Sequence, residues 1–121
     1  MITFVILGET PAKKNSRIVN TKTGRSFPSK RYTQWHRDAM LQVYTQKQNT
    51  PIDRPCRIKL TFTHGDLRRR DSDNGSSSIL DMLTDSGVLT DDNWQIVRSL
   101  QIENDYKKNE PSCKVEIEVY E

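Results

Sequence analysis

A chain of 121 residues can bury one modest core without disulfides or a structural metal. Only 33% of its residues are apolar, no apolar run approaches the ~20 residues of a membrane span, and the opening MITFVILGE lacks the basic region and cleavage site of a secretion signal. The net charge of +3 hides an uneven division: eight basic residues between Pro11 and Met40 (Lys13, Lys14, Arg17, Lys22, Arg25, Lys30, Arg31, Arg37) face Asp38 alone, whereas twelve acids face four bases from Asp71 onward.

The expectation is therefore a cytoplasmic protein of a single domain, residues 1–121, whose basic half is the electrostatic footprint of a surface that neutralises phosphates. A solvated face with no partner is the plainer account of the same charges.

Ile2 to Leu7 is a β-branched and aromatic run that predicts a first, interior strand, ended by Pro11. The basic loop from Ala12 to Pro28 contains a turn signal at Thr23-Gly24, between Arg17-Ile18-Val19 and Arg25-Ser26-Phe27, so a basic hairpin is expected there, ordered by a partner. Ser29 to Gln48 predicts a helix with Ser29 as N-cap and Trp35 in the core. Thr50 to Pro55 is a linker, after which Arg57 to His64 alternates as a half-buried strand that leads into an arginine run. Gln95 to Glu103 and Lys114 to Tyr120 predict two further strands, with Asn104 to Ser112 a charged loop between them. Cys56 and Cys113 have neither ligand spacing nor a partner pattern and are expected as buried thiols; His36 and His64 are isolated and suit packing or surface roles. The fold class that follows is α+β, a small mixed sheet of about four strands with two principal helices.

Most of the chemistry lies between Gly65 and Asn93. Arg68, Arg69 and Arg70 give way at once to Asp71, Ser72, Asp73 and Asn74, and Asp91-Asp92 follows at the far end. Between them Ile79, Leu80 and Leu83 recur at helical spacing, and Gly87 closes that helix. A helix and its return loop can bring Asp71, Asp73 and Asp92 together. Three converging carboxylates repel unless a cation joins them, and hard oxygen donors suit Mg²⁺ or Mn²⁺, with the adjacent arginines as phosphate holders. In the alternative, Asp71 and Asp73 only cap the helix and Asp91-Asp92-Asn93 only make a polar turn.

Arg69-Arg70-Asp71-x-Asp73-Asn74, an apolar helix with Leu80-Asp81-x-Leu83, and Gly87-x-x-x-Asp91-Asp92 together resemble the RusA family of Holliday junction resolvases, common in bacteriophages and prophages, over about 30 residues. Gly8 to Arg17, GETPAKKNSR, is more loosely similar to the family's opening segment. The resemblance implies a Mg²⁺-dependent endonuclease that resolves four-way junctions as a homodimer. Asp71, Asp73 and Asp92 would be catalytic metal-binding carboxylates with Asp91 beside them, and Lys13, Lys14, Asn15, Arg17, Arg68, Arg69 and Arg70 would meet DNA. One departure stands out: Ser77 falls where typical members carry a helix lysine needed for activity. A branched-DNA-binding module of the same fold, weakly active or inactive, is the alternative that this departure raises.

Overall fold

The computed structural model describes residues 1–12, 17–46 and 51–120. In chain order the elements are β1 (Ile2–Leu7), β2 (Arg17–Val19), β3 (Ser26–Pro28), α1 (Lys30–Gln46), β4 (Cys56–His64), α2 (Ser76–Asp85), β5 (Val97–Tyr106) and β6 (Ser112–Val119). This is the α+β architecture expected: a mixed four-stranded sheet in the order β1-β6-β4-β5, two helices, and a separate β2-β3 hairpin. β6 runs antiparallel to both β1 and β4, whereas β5 runs parallel to β4.

Alternation along the strands becomes three rows across the sheet. Ile2, Ile117, Ile58 and Leu100 share one row, and Phe4, Val115, Leu60 and Ile102 the next. The third row reads Ile6, Cys113, Phe62 and then Asn104, so a polar side chain occupies the outer place on an otherwise apolar face. Both helices supply the core that covers the sheet, Tyr32, Trp35, Ala39 and Val43 from α1 with Ile79, Met82 and Leu83 from α2. Each fully buried Val, Ile, Leu or Met among them contributes about 1.5–3 kcal/mol, which is how a sequence this polar sustains a fold. His36 joins the two helices, its Nε2 lying 2.8 Å from Asp85 Oδ2.

The predicted N-cap holds: Ser29 Oγ accepts the amide of Tyr32 at 3.1 Å. The hairpin also forms where expected, with Gly24 in the left-handed region at φ 70°. Cys56 and Cys113 are free and buried, and burial pushes the Cys113 thiol up to about 12. The last residues of the predicted first helix, Lys47 and Gln48, and the start of the linker lie outside the described residues.

Two strands differ from expectation. β5 continues through Asn104 and Asp105 to Tyr106, so the charged loop begins later, because nine-residue β4 offers ladder partners as far as His64, opposite Tyr106. At this edge of the sheet polar side chains are exposed or, as for Asn104, bonded to protein, and do not oppose strand formation. β1, expected in the interior, instead forms the opposite edge of the sheet, pairing among the described residues with β6 alone, and that edge is sealed from within: Gln46 accepts from the amide of Val5 and donates to its carbonyl, both at 2.9 Å, while Gln42 accepts from the amide of Leu7 at 2.7 Å. Two glutamines one helical turn apart thus take the place of a neighbouring strand on β1.

Candidate active site

β4 carries the chain to His64, and the next eleven residues hold the arginines and the first acids before α2 begins. Arg70 is turned inward, with its side chain only 10% exposed. Its Nε and Nη2 donate to Glu9 Oε1 at 3.1 and 2.9 Å, Nη2 also reaches Asp66 Oδ1 at 2.8 Å, and Nη1 donates to the carbonyl of Arg68 at 2.9 Å. Arg68 Nη2 shares Glu9 Oε1 at 2.7 Å, and Arg31 lies 3.4 Å from the other oxygen. Burial works to raise the Glu9 carboxyl, but the hydrogen bond and charge of Arg70, with Arg68 and Arg31, outweigh it and hold the group below the usual carboxylate range. The loop is therefore stapled to the segment after β1 by an ion network. Among the described residues Arg69 has no ion pair, and it is exposed.

Asp71 and Asp73 follow, both exposed. The structure removes the plainer account of them as helix caps: the N-cap is Gly75, and no side chain caps α2. It is the carbonyls of Asp71 and Asp73 that accept, from the amides of Asn74 at 3.1 Å and Ser76 at 3.2 Å. Both carboxylates are left for other partners. Gly75 is required by space, since a Cβ there would stand 2.9 Å from Phe62 Cε1 and 2.9 Å from Thr10 Cγ2. Ser78, a poor helix former by itself, is buried and donates to the carbonyl of Pro11 at 2.6 Å. These two contacts explain why a weak helix start occupies this position.

At the other end α2 closes at Gly87, whose φ of 79° suits glycine. The return loop is then held by Ile52, whose amide donates to the carbonyl of Val88 at 2.8 Å and whose carbonyl accepts from the amide of Thr90 at 3.1 Å. Asp91 is committed to the turn, accepting from the amide of Asp92 at 2.7 Å and from Asn93 Nδ2 at 3.1 Å. Asp92 is partly buried, and its carboxyl is pushed above the usual range by that burial, by the charge of Asp81 on α2, and by Asp91 beside it.

The acids thus fall into two groups. Asp92 lies with Asp91 and Asp81, and Asp71 and Asp73 precede the start of α2; Asp81 is five residues beyond Ser76, about 7–8 Å of helix rise. Among the described residues no three acidic, histidine or cysteine side chains stand close enough to grip one ion. The donor chemistry nevertheless fits a hard divalent cation: every candidate is a carboxylate, and the crowding that raises Asp92 is what an added positive charge relieves. Asp81, Glu9 and Asn104 were not singled out from sequence as site residues. Only Asp81 carried a signal, its place on α2 within the acidic stretch.

A third connection holds the first acids. Asn104 Nδ2 donates to both the carbonyl and the hydroxyl oxygen of Ser72 at 3.1 Å, and its Oδ1 lies 2.8 Å from His64 Nε2. Of the residues expected to meet DNA, Lys13, Lys14, Asn15 and the side chain of Arg17 lie outside the described residues; elsewhere in the basic half Lys22, Arg25, Lys30 and Arg37 are exposed.

Fold and site together define an α+β protein that presents exposed carboxylates between a sheet end and a helix, beside a basic surface. The family model described as endodeoxyribonuclease RusA matches residues 8–120, and the chain belongs to that family. A crossover junction endodeoxyribonuclease RusA from Aquifex aeolicus (strain VF5) is 30% identical over 87 residues, which cover 72% of this chain and 69% of the relative.

Proposed function

We propose that this chain is a single-domain, cytoplasmic endonuclease of bacterial or phage origin that resolves four-way DNA junctions by phosphodiester hydrolysis, acting as a homodimer. The observation that carries the reading is the pair of exposed Asp71 and Asp73 carboxylates, which the fold holds beside α2 without using them as caps. Asp71, Asp73 and Asp92, with Asp91 in support, would hold Mg²⁺ or Mn²⁺, which when bound supplies water activation and charge stabilisation at the scissile phosphate. The chain's own part is to bind and orient. Arg69, together with Lys13, Lys14, Asn15 and Arg17, is assigned to the DNA backbone. Arg68 keeps one nitrogen on Glu9 and is 61% exposed, so it remains available to a phosphate as well. Arg70 is assigned to holding the loop. A junction is two-fold symmetric, so an isologous dimer that presents two such sites would cut paired strands.

Asp73→Asn tests the reading by removing one ligand charge and nothing from the basic surface. Cleavage of a synthetic four-way junction in Mg²⁺ should fall by orders of magnitude while binding in EDTA is kept. A second reading, a branched-DNA-binding module without appreciable cleavage, draws on Ser77, which is exposed on the first turn of α2 where relatives are expected to carry lysine. Ser77→Lys separates the two. A Ser77→Lys variant that cuts faster than wild type with unchanged junction affinity supports the first reading, and a wild type that binds junctions tightly but cuts nothing under any divalent metal establishes the second.

A further inference from the structure

We propose that Asn104 is a positioning residue for the Asp71-Ser72-Asp73 loop, fixing the backbone between the two carboxylates; this rests on the nuclease reading above. Three observations converge on it. By register, residue 104 faces the helix side of the sheet, in the row begun by Ile6, Cys113 and Phe62, where the pattern calls for an apolar side chain. The asparagine at that place spends its amide group outside the sheet: Nδ2 donates to the carbonyl and to the hydroxyl of Ser72, 32 residues away in sequence. Its remaining polar atom, Oδ1, is held by His64 Nε2 at 2.8 Å, from the end of the adjacent strand.

These contacts fix each other's chemistry. Because Nδ2 faces two acceptors, Oδ1 must face His64, and Nε2 must carry the hydrogen in both the neutral ring and the imidazolium. The amide cannot turn over without opposing Oδ1 to the Ser72 carbonyl. Asn104 therefore grips the one residue that separates Asp71 from Asp73 and sets how the two carboxylates splay, while touching neither. Outer groups of this kind typically change metal affinity or activity by about 10–100-fold when removed.

The test uses Asn104→Leu, which keeps size, completes the apolar row and removes every hydrogen bond, alongside Asn104→Ala. Mn²⁺ is titrated into the free protein and followed by electron paramagnetic resonance, and junction cleavage is measured at saturating DNA with junction affinity taken in EDTA. Both variants should melt close to wild type and keep junction affinity, yet lose about 10–100-fold in Mn²⁺ affinity and in kcat. His64→Ala should show a smaller loss in the same two readouts, recovered by His64→Gln, which restores an N–H for Oδ1. Asn104→Leu with wild-type Mn²⁺ affinity and kcat, against a wild type that binds Mn²⁺ and cuts, overturns the assignment while leaving the nuclease reading intact. A wild type that takes up no Mn²⁺ and cuts nothing overturns both.

Discussion

Arg70→Ala distinguishes an arginine that holds the protein from one that holds DNA. The guanidinium is 10% exposed and makes charge-assisted bonds to Glu9, Asp66 and the Arg68 carbonyl. Breaking a fully buried pair costs about 3–5 kcal/mol, and losing one charge-assisted hydrogen bond costs about 1.5–3 kcal/mol. Here Asp66 is 57% exposed and returns to water, and Glu9 keeps Arg68 and Arg31, so the loss should fall near the lower figure, about 2–3 kcal/mol. For a chain of this size that is a fall in Tm of about 10 °C, read by circular dichroism. The pH dependence has a fixed sign. Glu9 titrates below its ordinary value of 4.5 in the folded state, so its contribution is complete above that value and disappears as pH falls through the lowered one. The gap between wild type and variant should therefore be full at pH 7 and shrink on acidification below about 4.5. Arg70→Lys keeps the charge but cannot bridge two carboxylates and a carbonyl, and should recover less than half of the loss. A variant that melts within about 2 °C of wild type while losing junction affinity would refute the staple and return Arg70 to the DNA.

Arg69→Ala should leave Tm unchanged and lower the slope of log binding constant against log salt by about 0.9, the value for one phosphate contact; an unchanged slope would place Arg69 off the DNA. Asp92→Asn should stabilise the metal-free protein at pH 7 by about 0.5 kcal/mol, because the Asp92 carboxyl is held above its unfolded value by burial and by Asp81 and Asp91. That gain should fade as pH falls and the carboxyl protonates, and added Mg²⁺ should raise the Tm of wild type more than that of the variant. A loss of stability at neutral pH would show that Asp92 is paired rather than crowded.

Several features of this protein were legible in its sequence alone. The β-branched and aromatic run Ile2–Leu7 and period-two alternation in Cys56–His64 and Ser112–Val119 encode three sheet strands, and Ser29 and Gly87 mark a helix start and a helix end, because these signals depend on neighbours a few residues away. The order of arginines, Asp-x-Asp, helix and Asp-Asp is likewise a property of the linear chain, and it identified the family. Which polar groups meet was decided only by the tertiary structure. Glu9 and Arg70 are 61 residues apart, Gln46 and Val5 41, and Asn104 and Ser72 32. No local pattern marks such pairs, since an isolated Glu, Gln or Asn reads as surface until strand order is known. Parallel pairing of β5 with β4, β6 on its other side, is what carries Asn104 to the acidic loop, and antiparallel pairing of β1 with β6 is what carries Glu9 to the arginines. Side-chain hydrogen bonds report where strands end up in space, whereas periodicity reports only that strands form.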